Sequence, residues 1–328
     1  MAERNPYAAR LPFNEQRDHL MVQVAKLYYD LDHTQSEIAS ELGLTRWQVG
    51  KLLAEAKAAG VVKIEITPRA GRRTMLEVEL QRAFGVKEAI VVPTVDIKDP
   101  NLIIDSVAQA AATHLASLNP KPSLLGVSWG RTMAAVARAL PQAWCPDLHV
   151  VLVNGSAALT TTTARNSAVA EEFAQSAGGR ATLLPVPAIV GSKTTRDALE
   201  EDPIIRRVLS FADEAPVICF GMGGVSQQSV LLASGYLGAD DISRLASLNS
   251  VGDILGRFVD RDGQVVDRQL DDRTVGLSLD KLRRKERAIG VAAGEDKHLI
   301  AAACLRAGYA TDLVTDEGTA RRILEETA

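Results

Sequence analysis

Along the first sixty residues the apolar positions keep a helical spacing that is interrupted twice. Between Asp18 and Leu31 they fall at Leu20, Met21, Val24, Leu27, Tyr28 and Leu31, which predicts a helix with one buried face. His33 breaks the stripe, and two helix starts follow. Thr34-Gln35-Ser36-Glu37 and Thr45-Arg46-Trp47-Gln48 both have the form of a capping box. In that motif a threonine hydroxyl and a Glu or Gln three residues later satisfy each other's backbone N–H groups. The first box opens about two turns carrying Ile38, Ala39 and Leu42. Gly43 then permits a tight turn, with Leu44 as a core plug. The second box opens a longer helix that stops before Gly60. Short helix, glycine turn and capped long helix together predict a helix-turn-helix.

The orientation of the second helix follows from about 100° per residue. Val49, Leu52, Leu53 and Ala56 share one side and face the core, while Trp47, Gly50, Lys51, Ala54 and Ala58 face outward. Apart from Trp47 and Lys51 the outward face is small. A helix entering the major groove needs low bulk along its body and long polar side chains at its N-terminus. Arg46 and Gln48 are therefore expected at base edges, and Thr45 and Lys51 at phosphates. Thr34, Gln35 and Trp47 complete the expected DNA-facing set. On an isolated helix such residues would merely be solvated; the paired capping boxes favour the DNA reading. Val61–Ile66 alternates as a half-buried strand does, predicting a small wing, and Arg69–Arg73 reads as a basic linker. The expected domains are 1–68, a linker at 69–74, and 75–328.

Beyond Met75 the pattern changes to short apolar runs separated by helical stretches. Runs suited to buried strands occur at Ala89–Val92, Ser123–Val127, His149–Val153, Thr182–Val186, Val217–Phe220, Ala288–Ala292 and Asp312–Val314. Helical spacing appears at Leu102–Leu118, Thr132–Leu140, Ser167–Ala177 and Lys297–Ala307. This alternation predicts a Rossmann-like α/β domain with a mostly parallel sheet covered on both faces. Sheets of this kind bind ligands beyond the carboxyl ends of their strands, so the segments after each strand are the candidates. Gly126-Val127-Ser128-Trp129-Gly130-Arg131-Thr132 runs from a strand into a helix. The N–H groups there, the Ser128 and Thr132 hydroxyls and the Arg131 charge form an anion cradle. Asn154-Gly155 and the run from Gly221 through Gly223 follow two other strands. Asp253 is placed to accept hydrogen bonds from sugar hydroxyls, and Lys297 to meet a phosphate or carboxylate. The cradle's spacings match neither the dinucleotide fingerprint nor a P-loop, and no cofactor is expected.

Composition narrows the class. With 46% hydrophobic and 24% charged residues the chain has the makeup of a globular protein. No apolar run approaches the ~20 residues that span a bilayer, and the N-terminal segment lacks the apolar core of a signal peptide. The three cysteines, Cys145, Cys219 and Cys304, are far apart and form no CxxC pair. A cytoplasmic protein with reduced thiols and no metal site is expected. Residues 1–73 hold 11 Lys and Arg against 9 Asp and Glu, and the rest holds 26 against 32. That is the sign expected of a DNA-binding head on an acidic body.

A resemblance makes this specific. Ala25-Lys26-Leu27-Tyr28-Tyr29, the run from Thr34 to Leu53, Gly130 with Thr132, Val251-Gly252-Asp253, and Gly294 and Lys297 with Thr315-Asp316-Glu317 resemble the SorC family of bacterial sugar-responsive regulators over nearly the whole chain. The resemblance implies a C-terminal domain similar to glucosamine-6-phosphate deaminases and ribose-5-phosphate isomerases, used for sensing. It implies a phosphorylated sugar or related polyol as effector, operator DNA as partner, and assembly as a homodimer or homotetramer. It also carries an effector role onto Ser128, Trp129, Gly130, Arg131, Thr132, Asp253 and Lys297, and more weakly onto Asn154 and Gly223. Two other readings stay open. An isomerase or deaminase would draw its general base from Asp253, Glu295, Asp296 or His298. A ligand-free oligomerisation domain would use its strand-end glycines only as turns.

Overall fold

A computed structural model describes residues 13–62, 71–94, 96–156, 161–224, 231 and 235–326. The chain divides into two compact units, Met1–Arg69 and Ala70–Ala328.

In the first unit three helices, α1 (Phe13–Tyr29), α2 (Gln35–Leu42) and α3 (Arg46–Ala58), pack around one small core. Met21, Val24, Ala25 and Leu27 of α1 meet Ile38 and Ala39 of α2 and Val49, Leu52, Leu53 and Ala56 of α3. Both capping boxes form as expected. Thr34 and Thr45 accept from the N–H groups of Glu37 and Gln48, whose side chains accept from the threonine N–H groups in return. Gly43 closes α2 at φ 67°, a left-handed conformation that a side chain would oppose. Of the expected wing strand only Val61 and Val62 are described, in a bend; the remainder lies outside the described residues.

Among the described residues the second unit holds a nine-stranded sheet. Its parallel part comprises β1 (Glu88–Val92), β2 (Leu124–Val127), β3 (His149–Leu152), β4 (Arg180–Thr182), β5 (Val217–Gly224), β8 (Arg287–Ala292) and β9 (Asp312–Asp316), in the order β1-β9-β8-β5-β2-β3-β4. Six of these correspond to the apolar runs, while β4 precedes its expected run of Thr182–Val186 and shares only Thr182 with it. Alternate residues serve opposite faces: Val150 and Leu152 of β3 join one core, Val151 and Val153 the other. Helices cover both faces, among them α4 (Thr74–Phe84), α5 (Pro100–Ser117), α6 (Arg131–Ala139), α7 (Thr161–Ala177) and two helices of the β4–β5 connection, α8 (Lys193–Glu201) and α9 (Pro203–Glu214).

Two short strands were not expected. β6 (Gly252–Ile254) pairs antiparallel with the far end of β5, and β7 (Arg257–Val259) folds back on β6. After β8 a single 3-10 turn, Glu295–Lys297, leads into α13 (His298–Arg306), counting three short helices, α10 (Ala239–Ser247), α11 (Arg268–Asp271) and α12 (Leu279–Arg283), before it. The final helix, α14 (Glu317–Glu325), starts at the end of β9. Strands β3 and β4 extend the sheet on one side of β2, while β5, β8 and β9 lie on the other. The strand order therefore changes direction at β2 and β5, and ligands of such sheets bind in the crevice beyond that point.

Candidate functional site

Beyond the carboxyl ends of β2 and β5 lies a cavity of about 100 Å³. The two strand ends are bolted together by Ser128, which is buried and whose Oγ accepts from the Gly221 N–H at 3.0 Å. From there Gly130, at φ 135°, turns the chain into α6 without any side-chain cap. Arg131 and Thr132 at the start of α6 line the cavity, and Gly130 offers the first N–H groups of the helix no side-chain cap. Unmatched N–H groups at a helix start favour an anion.

The cavity is also lined by the acidic residues Asp253 and Asp296. Asp253 stands on β6 directly across from Gly223. Its Oδ2 accepts from the Gly256 N–H at 3.0 Å. Burial pushes its carboxyl up from the ordinary value, and the Gly256 N–H and the Lys297 charge pull partly the other way. A Cβ at Gly223 would stand 1.9 Å from Asp253 Oδ1, and one at Gly224 would stand 2.5 Å from the Asp296 carbonyl. Glycines are thus required where the hairpin and the 295–297 turn close onto β5. The hairpin turn itself uses Leu255 at φ 55° and Gly256 at φ 82°. Buried Arg257 braces it through the Leu255 and Gly276 carbonyls and Asp271. Asn154, 5% exposed, also lines the cavity, and its Oδ1 has no hydrogen-bond partner among the described residues. Lys297 reaches the same cavity with its Nζ 2.6 Å from Asp296 Oδ2.

The expected DNA-facing residues gather in the first unit. Thr34, Gln35 and Arg46 line one groove with His33 and Tyr28. Trp47 is 72% exposed, with Lys51 Nζ 5.4 Å from its ring centroid.

Residues 69–325 match the family model described as "Putative sugar-binding domain". The deoxyribonucleoside regulator of Bacillus subtilis is 29% identical over 315 residues, covering 95% of this chain and 99% of the relative. The full-length sorbitol operon regulator SorC of Klebsiella pneumoniae superposes with a TM-score of 0.69 at 27% identity, covering 93% of this chain and 98% of that one. The chain belongs to the SorC family of transcription regulators. A domain of a possible sugar-binding transcriptional regulator from Arthrobacter aurescens superposes with a TM-score of 0.68 at 30% identity, over 79% of this chain and all of that one. This SorC-family chain is accordingly a regulator with a sugar-binding domain, not an isomerase or deaminase.

Set against the family resemblance, the cavity of this SorC-family chain takes in Ser128, Trp129, Gly130, Arg131, Thr132, Asn154, Gly221, Gly223, Asp253 and Lys297. Gly126 and Gly155, expected with them, do not line it. A Cβ at Gly126 would meet Ile218 Cδ1 at 2.3 Å, and one at Gly155 would meet the Pro187 carbonyl oxygen at 2.5 Å. Both are glycines because of close packing. Trp129 lines the cavity only with apolar surface, since its Nε1–H donates to the Gly155 carbonyl at 2.9 Å. Gln48, expected at a base edge, has its carbonyl committed to the capping box, accepting from the Thr45 N–H at 2.8 Å and from its hydroxyl at 3.0 Å. The same holds for the Thr34 and Thr45 hydroxyls, which serve the caps. Arg72 and Arg73, read as a free basic linker, are tied to Glu77 at 2.8 Å and Glu317 at 2.6 Å.

The cavity also takes in Gly224, Leu255 and Gly256, which were not assigned from the sequence, and Asp296, named there only as a candidate base. Gly224 and Asp296 adjoin assigned positions and could have been included on that ground. Leu255 and Gly256 depend on the β6–β7 hairpin, which has no periodic signal. Glu295 and His298, the other candidate bases, do not line the cavity. Among the described residues no cluster of metal-ligating side chains occurs, and no helix is long and apolar enough to cross a membrane.

Proposed function

We propose that this regulator binds a phosphorylated sugar or related polyol in the cavity and operator DNA through α2 and α3, and that occupancy of the first site changes affinity at the second. The observation that carries the effector half is the buried Asn154 Oδ1, without a hydrogen-bond partner among the described residues, in a cavity that Asp253 and the start of α6 also line. A buried polar atom without a partner is costly, and a hydroxylated ligand relieves that cost. Asp253 and Asn154 accept from sugar hydroxyls, while α6, Arg131 and Lys297 hold the anionic end. The cavity of about 100 Å³ has room for several water-sized groups and so for a small hydroxylated ligand.

In the DNA half, Arg46 reads a base edge, Lys51 and Gln35 contact phosphates, and the two capping boxes hold the helices at their groove. A homodimer or homotetramer in the cytoplasm presents paired heads to a pseudo-palindromic operator, with half-site spacing set by its symmetry. Coupling begins at the 295–297 turn. The Gly294 N–H donates to Asp316 Oδ2 at 2.8 Å, and the next residue, Glu317, receives Arg73 at the start of the body. Ligand contact with Lys297 therefore bears on the segment through which the chain leaves for the head.

Calorimetric titration with single sugar phosphates and polyols tests the division of labour. The expected outcome is that Lys297→Ala loses at least tenfold in effector affinity with DNA affinity intact, while Arg46→Ala does the reverse. Loss of both functions in either variant would contradict the assignment.

A further inference from the structure

Trp47 stands apart from the other tryptophans. Trp129 and Trp144 are buried, 8% and 7% exposed, while Trp47 is 72% exposed. It occupies the second position of α3, on the outward face, one turn before Gly50 and two before Ala54, which is exposed. Neither neighbour carries bulk that would keep the indole from a surface approaching that face. Lys51 holds its ammonium 5.4 Å from the ring centroid, a cation–π contact that fixes the ring and adds positive charge beside it. An indole left in water forfeits the stabilisation its burial would give, so its exposure points to an interface.

The polar alternatives in the same turn are reduced. The Gln48 carbonyl is occupied by Thr45, and the Thr45 hydroxyl is occupied by Gln48. Arg46 and the Gln48 side-chain NH2 remain as the long donors of the first turn. The apolar group that base pairs present in the major groove is the 5-methyl of thymine. We infer that Trp47 reads sequence by packing its indole against a thymine methyl in the major groove, an inference that rests on the DNA-binding role proposed for α3.

The test begins with duplexes enriched by the full-length protein from a random-sequence pool. Each thymine of the enriched site is then replaced singly by uracil, which deletes the methyl and keeps every hydrogen-bonding group. Wild type is expected to lose about fourfold at one thymine of each half-site, the worth of one buried methyl. Trp47→Ala, with an unchanged melting temperature, is expected to bind more weakly and to be indifferent to that replacement; Trp47→Phe is expected to keep part of the discrimination. Tolerance of uracil at every position, or methyl sensitivity that persists in Trp47→Ala, would overturn the inference and leave DNA binding standing. Failure to enrich any duplex would overturn the DNA-binding reading and this inference with it.

Discussion

Gly126 and Gly223 sit on the neighbouring strands β2 and β5, yet they are glycines for different reasons. At Gly126 a methyl would meet Ile218 Cδ1 at 2.3 Å and Val153 Cγ1 at 2.6 Å, which is an overpacked core. Gly126→Ala is expected to cost about 1–3 kcal/mol in urea unfolding, with effector affinity unchanged in the folded protein. At Gly223 the methyl would stand 1.9 Å from Asp253 Oδ1 and displace the carboxylate that lines the cavity. Gly223→Ala is expected to weaken effector binding more than tenfold by calorimetry; an unchanged affinity would remove Asp253 from the site. In the sequence both glycines look alike, because a glycine at a strand end signals a turn. What separates them is the cross-strand neighbour, and that comes only with the register. Trp129 carries the same lesson: its place in the loop was readable, but the commitment of its N–H to Gly155 was not.

Elements with strong local signals were legible, and those defined by partners were not. The capping boxes, Gly43 and the 3.6-residue stripe specify α2 and α3 because each signal concerns residues within a turn of one another. Thr45→Ala is expected to lower the stability of the head by about 1 kcal/mol, seen as a shift in the thermal melt. The three-residue strands β6 and β7 exist because β5 overhangs the parallel sheet and offers them an edge, which no periodicity announces. A third group of elements is pinned by charge. Asp312 at the start of β9 accepts from His114 of α5 at 3.1 Å and from Arg287 of β8 at 2.8 Å. Burial works to raise this carboxyl, but the hydrogen bonds and charges of His114 and Arg287 outweigh it and hold the group below the ordinary value. A depressed carboxylate contributes stability above its unfolded value, about 3.9, and that contribution is lost as pH falls through the folded value. Urea unfolding is expected to show a decline in stability below about pH 4 that is smaller in Asp312→Asn. An identical pH dependence in the two proteins would contradict it.

On the scale of the whole molecule, the alternation of strands and helices was enough to place a sheet and the end of it at which the cavity lies. The route proposed between the two sites was not, because Arg72 and Arg73 read as a solvated basic run until their partners Glu77 and Glu317 are known. Glu317 is buried and also receives Arg321 at 2.7 Å, and Asp316 beside it holds Gly294. Glu317→Gln is therefore expected to leave effector and DNA affinities, each measured alone, within about twofold while reducing the effect of one on the other. The most direct test of the central claim is a titration of the purified protein with DNA from upstream of its own gene cluster. It is run at two salt concentrations, with and without pooled sugar phosphates and polyols. The account predicts specific, salt-sensitive binding that the pool shifts by about fivefold to 150-fold, with no shift in Lys297→Ala. DNA affinity indifferent to the pool in wild type that binds it would contradict the linkage.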